Sequence, residues 1–334
     1  MSAPGNCLTC GNGACSRHAA DRQRGGRRAF ILDEVWPEYR AFLGQTRNPG
    51  DQVLAPGLFG RAGLPRYDWG PGAGHGAGLA TLARHLALRL VRDRPGAQRQ
   101  PVYLAHDRRV FAALARRLDY HADRLVIDQR FLPFAWRAGV LGGRTYDVLM
   151  VRYPFQALHD RLDGMAGPAS LRDYRAPADL LRDEAAALAR AARIVTPHHG
   201  IASLFPDRVL RLDWHRPAAF TVQPGRRVAF LGPAIGRGGL ERARALARRL
   251  PEPLIVFGAD LEAGAFDGVP VERRLWGPRG LDGVGAIFHP AAMTNQPRRL
   301  LQAIAAGIAV HATEGAGLAP GEWLPLAALD AGNG

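Results

Sequence analysis

The chain has 334 residues, enough for two domains, and its 47% apolar and 22% charged composition is that of a globular protein rather than a disordered one. No apolar run reaches the roughly 18 residues of a membrane helix, the start lacks the order of a signal peptide, and three cysteines crowded at one end exclude a secreted disulfide framework, so the expectation is a cytoplasmic protein. The net charge of +14 comes from 44 arginines and no lysine; charge so diffuse and so biased in type does not point to nucleic acid, although an anionic membrane surface or lipid-linked substrate is compatible with it.

Residues 1–27 form a Gly- and Arg-rich leader containing CLTCGNGACSRH. Its Cys7, Cys10, Cys15 and His18 supply the four N/S ligands of one tetrahedral Zn2+, with Gly11 and Gly13 allowing tight bends. The plain alternative is a polar leader with free thiols. A site there would be a structural or docking clip, because it precedes every predicted element.

Arg28–Asp33 (RAFILD) is predicted to be the first strand, and 44–78 mostly loop because of its Gly and Pro content, closing with WGPGAGHGAG. Leu79–Arg92 has apolar residues at helical spacing, with arginine on the other face. Val102–His106 reads as a strand and Arg108–Leu118 as an amphipathic helix. Arg124–Asp128 and Tyr146–Val151 are strands, with helix between them at Arg130–Ala138. Ala178–Ala192 is a helix, and Arg193–Thr196 and Arg208–Leu212 are strands. Trp214–Arg227, broken by prolines, reads as a linker. A second alternation follows: strands Val228–Leu231, Leu254–Gly258, Gly285–Phe288 and Ile308–Ala312, with helices Leu240–Leu250 and Arg298–Ala306. Short apolar strands alternating with helices predict parallel sheets covered on both faces. The organisation is therefore a leader at 1–27, a Rossmann-like domain at 28–213, a linker at 214–227 and a second Rossmann-like domain at 228–334. Two such units enclose a cleft at the carboxyl ends of their strands, where ligands bind in this class of fold.

Two stretches of the second unit carry chemistry. In FLGPAIGRGGLERARALARRL, Phe230–Leu250, a strand ends in a glycine loop that opens a helix. Gly232, Gly236, Gly238 and Gly239 permit close approach of an anion to the backbone, and Arg237 can add a charge-assisted contact. A plain βα turn would look the same. In Ile287–Leu318, a strand ends at His289, a polar loop holds Thr294 and Asn295, the next helix carries Gln302, and a second glycine loop follows at Gly315, Ala316 and Gly317. In the first unit, His106 and Asp107 close the Val102–His106 strand and are the candidate catalytic pair, with helix N-capping the alternative role for Asp107. Asp128 and Gln129 stand in the equivalent place after the next strand.

LLQAIAAGIAVHATEGAGL, Leu300–Leu318, resembles the donor-sugar segment of GT-B glycosyltransferases, especially the large retaining family 4, and DEAAALARAARIVTPHHGIASLF, Asp183–Phe205, is similar to the end of that family's first domain. The resemblance implies a GT-B architecture and transfer of a sugar from a nucleotide-sugar donor to a glycan or lipid-linked acceptor, with no metal required for transfer. It implies a donor site of Gly232, Arg237, Gly238, Gly239, His289, Thr294, Asn295, Gln302, Gly315, Ala316 and Gly317, and puts His106 or Asp107 on the sugar or acceptor side. The family's second Glu falls on Gln302 and its first near Thr294 or Asn295, while the diphosphate-binding Arg and Lys positions fall on Pro233 and Gly238. The alternative is a non-catalytic relative that binds a sugar or nucleotide and docks a partner.

Overall fold

The computed structural model describes residues 27–58, 62–92, 94, 96–165 and 174–331. Cys7, Cys10, Cys15 and His18 lie outside them. The first sheet has seven parallel strands: β1 Arg27–Ile31, β2 Gln52–Pro56, β3 Gly74–Gly76, β4 Ala122–Asp128, β5 Thr145–Leu149, β6 Arg193–Thr196 and β7 Val209–Arg211, in the order β3-β2-β1-β4-β5-β6-β7. The second has six: β8 Arg227–Leu231, β9 Leu254–Phe257, β10 Val271–Arg274, β11 Val284–His289, β12 Ala309–Ala312 and β13 Leu324–Pro325, in the order β10-β9-β8-β11-β12-β13. All the pairings are parallel. Central strands are buried on both faces, as the runs AFI in β1 and LIVF in β9 require. This is the expected GT-B-like class: two doubly wound α/β units, each with helices flanking a parallel sheet.

Each sheet reverses its winding once, between β1 and β4 in the first and between β8 and β11 in the second. The crevice beyond the strand ends at such a reversal is where this architecture takes ligands. Asp33 follows β1 and Asp128 ends β4. Gly232 follows β8 and His289 ends β11.

Four sequence expectations change. Val102–His106 is not a strand: one helix runs Gly96–Ala115, with Pro101 inside it. Its buried positions Leu104, Asp107, Val110, Phe111 and Leu114 keep helical spacing through the supposed strand, and a five-residue apolar run cannot by itself distinguish the two periods. His106 and Asp107 therefore lie within a helix, not at a strand end. The stretch 44–78 contains β2 and β3, short strands hidden by flanking Gly and Pro. β10, VERR, is a charged edge strand without an apolar run, a common protection of sheet edges. Finally, the helix Gly78–Val91 is turned inside out: Arg84 is buried while Leu79, Leu82, Leu86 and Leu90 are exposed.

The two units are joined by specific contacts. Glu38, in the first turn of the helix Pro37–Thr46, is buried and accepts from the His215 backbone N–H at 2.7 Å and from Arg298 Nη2 at 2.5 Å. Trp214 Nε1 donates to the Gly317 carbonyl at 2.9 Å.

Candidate functional site

Two adjoining cavities occupy the region where the winding reversals face each other. The interdomain cavity, of about 500 Å³, is walled by Gly232, Arg237 and Gly238 after β8, by His289 and the 291–300 segment after β11, and by Arg152, Tyr153 and Tyr174 of the first unit. The second, of about 510 Å³, lies on the first unit's side and includes Arg84, Asp107, Asp128, Gln129 and Arg130. Gln100, Arg152, Asn295 and Gln296 wall both.

The interdomain cavity takes Arg152, Arg237, Arg298 and Arg299 and no carboxylate. Arg298 is committed to Glu38 and lies over the Trp214 ring, and Arg299 lies over Trp276. Arg152 differs. Its guanidinium lies 5.2 Å from the Phe155 ring centroid, while Nε and Nη2 are buried with no hydrogen-bond partner. The Tyr153 hydroxyl is also buried without a partner, but it lies against Gly200, which is outside the lining of this cavity. Unsatisfied buried donors are costly, more so on a cation, and cluster where a ligand completes them.

The second cavity is built on a charge network. Arg84, 2% exposed, holds Asp33 at 2.5 Å and Asp107 at 2.9 Å and donates to the Tyr67 hydroxyl at 2.8 Å. Arg130 bridges Asp33 at 2.8 Å and Glu34 at 3.0 Å. Burial pushes Asp33 up, but Arg84 and Arg130 outweigh it and hold the carboxyl below its ordinary value. Asp107 moves the other way, because burial and the Asp33 charge exceed its attraction to Arg84 and Arg130. Asp107 thus lines a cavity as part of an ion-pair network; it does not cap its helix, since it lies inside it. His106 is half-buried and does not line either cavity.

Asp128 accepts from the Arg130 backbone N–H at 2.8 Å and makes no ion pair among the described residues. Burial, with the Asp33 charge adding to it, pushes its carboxyl up to about 7 against the pull of Arg130 and Arg152. An acid whose folded value is raised contributes most below its unfolded value of about 3.9, and that contribution is lost as pH rises through about 7. Asp128→Asn should therefore raise Tm relative to the parent chain at pH 8, with the gap narrowing towards pH 5. A variant no more stable at pH 8 means that the ionised carboxylate is well accommodated.

The expected donor set divides. Gly232, Arg237, Gly238, His289, Thr294 and Asn295 line the interdomain cavity. Gly239 and Gly315 line a different cavity, with Arg161, Pro290 and Glu314. Gln302 lies apart, its Oε1 accepting from Trp276 Nε1 at 2.8 Å. Ala316 and Gly317 line none of these cavities. Gly317 has φ +72°, and a Cβ there would stand 2.4 Å from the His198 ring, so this glycine serves a close contact between the units.

The glycine loop after β8 is not an open anion cradle. Gly232 N–H donates to Phe257 O at 2.8 Å, Ala234 N–H to Ala259 O at 3.0 Å, Gly238 N–H to Ile235 O at 2.8 Å and Gly239 N–H to Gly236 O at 2.8 Å. Gly236 N–H donates to the Glu262 carboxylate at 2.6 Å, so an internal anion stands at the loop. At Gly315–Gly317 the turn uses its own amides as well, Ala316 to Thr313 O and Gly317 to Glu314 O. At Gly232, Ala234, Gly236, Gly238, Gly239, Ala316 and Gly317 the amides are taken by the protein's own acceptors, so the expected diphosphate cradle is filled at those positions.

Thr294 joins the two units. His289 Nε2 is 2.7 Å from its hydroxyl, and His198 Nε2, from the first unit, is 3.0 Å from its carbonyl. A carbonyl only accepts, so His198 Nε2 carries the hydrogen while Nδ1 accepts from Ile201 N–H at 3.2 Å. Burial pushes both histidines down to about 4. Sequence reasoning missed Asp33, Arg84, Arg130, Arg152 and Tyr153 as site residues. Only Asp33 and Arg152 had a visible cue, each closely following an apolar strand.

The fold and site define a two-unit α/β protein with a cationic cleft between facing winding reversals. No protein-family model matches the chain, and no curated protein matches it. Among solved structures, the lipopolysaccharide outer core galactosyltransferase WaaB in its apo form is similar at 14% identity, over 92% of this chain and 88% of its own, with a TM-score of 0.48. Sucrose-phosphate synthase from Thermosynechococcus elongatus is similar at 12% identity, over 86% and 81%, with a TM-score of 0.47. The calicheamicin glycosyltransferase CalG4 is similar at 16%, over 93% and 83%, with a TM-score of 0.40. At these identities the likeness assigns no substrate to this chain.

Proposed function

We propose that the chain is a glycosyltransferase that takes a nucleotide-sugar donor in the interdomain cavity and passes the sugar to a glycan or lipid-linked acceptor presented from the first unit's cavity. The resemblance of Leu300–Leu318 to the retaining family 4 adds retention of anomeric configuration to this reading. The carrying observation is the cavity wall: four arginines and no carboxylate, with Arg152 Nε and Nη2 buried without partners. A diphosphate supplies the acceptors that these donors lack, and charge-assisted bonds of this kind are the strong ones. With the amides of Gly232, Ala234, Gly236, Gly238 and Gly239 occupied, the anionic group is anchored by side chains from both units.

The test is release of nucleoside diphosphate from a panel of nucleotide sugars, alongside calorimetric binding of the free nucleoside diphosphates. Arg152→Gln should weaken diphosphate binding about ten- to a hundredfold. Unchanged affinity in that variant removes Arg152 from the site, and no binding by the parent chain to any member of the panel overturns the donor reading. A binding protein without turnover is the second reading, favoured by the Glu262 carboxylate at Gly236 and by the internal bonds of Thr294 and Gln302. Tight binding with no release across the panel selects it.

A further inference from the structure

The helix Gly78–Val91 exposes an apolar stripe. Leu79 is 83% exposed, Leu82 39%, Leu86 51% and Leu90 80%, at spacings of three, four and four that put them on one side of the helix. The opposite side is held inward by Arg84, whose ion pairs to Asp33 and Asp107 fix the helix's rotation. The leucines are therefore outside because a buried cation is inside. Rotating the helix to bury them would expose the network and strand two carboxylates in the core.

Single exposed leucines need no explanation, but four on one face mark an interaction surface. The stripe ends in the sequence RLVRDR, where Arg89, Arg92 and Arg94 are exposed and Asp93 is the one acidic residue from Gly78 to Arg94. A leucine face bordered by arginines is the pattern of a helix lying in a lipid interface, with its apolar side among the acyl chains and its cations at the headgroups. The leader 1–26 does not offer a matching cover in sequence, since it contains a single leucine and no other large aliphatic residue beyond Met1.

We propose that this helix docks the protein on an anionic membrane surface. The same helix supplies Arg84 and Leu88 to the first unit's cavity, so docking brings that cavity close to the bilayer. The docking itself does not depend on the transferase reading; the two are tested by different measurements.

The experiment is co-sedimentation of the full chain with vesicles of phosphatidylcholine alone or phosphatidylcholine mixed with phosphatidylglycerol. Binding is expected to the mixed vesicles, weaker to the neutral ones, and reduced by salt because the arginines contribute. Leu86→Glu combined with Leu90→Glu should lower vesicle affinity about tenfold or more, since two leucines leave the interface and two anions enter. Leu275→Glu, at an exposed leucine of the second unit, should leave it unchanged. Absence of binding to the anionic vesicles overturns the proposal, as does equal binding by the double variant. Concentration-dependent self-association that the double variant abolishes, without vesicle binding, assigns the stripe to a second copy instead. Melting curves of both variants verify that the fold is intact, which the outward position of the leucines favours.

Discussion

Replacing Arg84 by Met should cost about 3–5 kcal/mol, the largest single loss expected from a side chain of this protein. Arg84 is 2% exposed and lies between Asp33, which has no exposed surface, and Asp107, at 7%. Methionine fills much of the volume but leaves Asp107 with no ion-pair partner and Asp33 with Arg130 alone. Without the guanidinium, burial and mutual repulsion raise Asp33 from its lowered value and push Asp107 further up. The penalty is then greatest where they must ionise, so the deficit against the parent chain should be larger at pH 8 than at pH 5. A fall in Tm of roughly 6 °C or more at pH 8 is expected. Asp107→Asn added to Arg84→Met should recover part of it, and Arg89→Met, on the exposed side of the same helix, should change Tm little. An Arg84→Met protein as stable as its parent at pH 8 would show that the network does not hold the helix.

Acidification should loosen the joint between the two units through His198 and His289. Burial pushes both down to about 4, against an ordinary value near 6.5. A base lowered in the folded state binds its proton later than in the unfolded chain. Stability is thus intact above about 6.5 and is lost as pH falls from there to about 4, by an amount on the order of 3 kcal/mol for each histidine. At His198, where burial is the main cause, protonation also removes the acceptor of the Ile201 N–H, because Nδ1 cannot accept once it carries a proton. Tm measured across this window at constant ionic strength should fall steeply in the parent chain and less steeply in His198→Gln. A His198→Gln profile as steep as the parent's would sink this assignment. Because the two histidines hold opposite ends of Thr294, one from each unit, acid should also increase proteolysis in the 212–226 connection before the sheets unfold.

The alternation of short apolar strands with amphipathic helices was sufficient to establish two doubly wound parallel sheets, because burial on both faces leaves an uninterrupted apolar run in each central strand. It also placed Gly232, Arg237, His289 and Thr294 at strand ends, and these do meet in one cavity. Edge strands escaped notice: β10 is charged and β3 is GHG, because an edge needs no apolar run. His106 and Asp107 were misplaced because a five-residue apolar run suits either period until its neighbours are known.

What only the tertiary structure decided was orientation and occupancy. The sequence of Gly78–Val91 offers a stripe of leucines at helical spacing, and burying it is the default. Two carboxylates 51 and 23 residues away, Asp33 and Asp107, reverse it by pairing with Arg84. Likewise the loop Gly232–Gly239 has the composition of an anion cradle, but Phe257, Ala259 and Glu262 reach its amides from the neighbouring strand β9 and the loop after it. Local pattern specifies which groups a segment offers. Which partner takes them depends on residues brought alongside by the fold, and that long-range competition is not written in the segment itself.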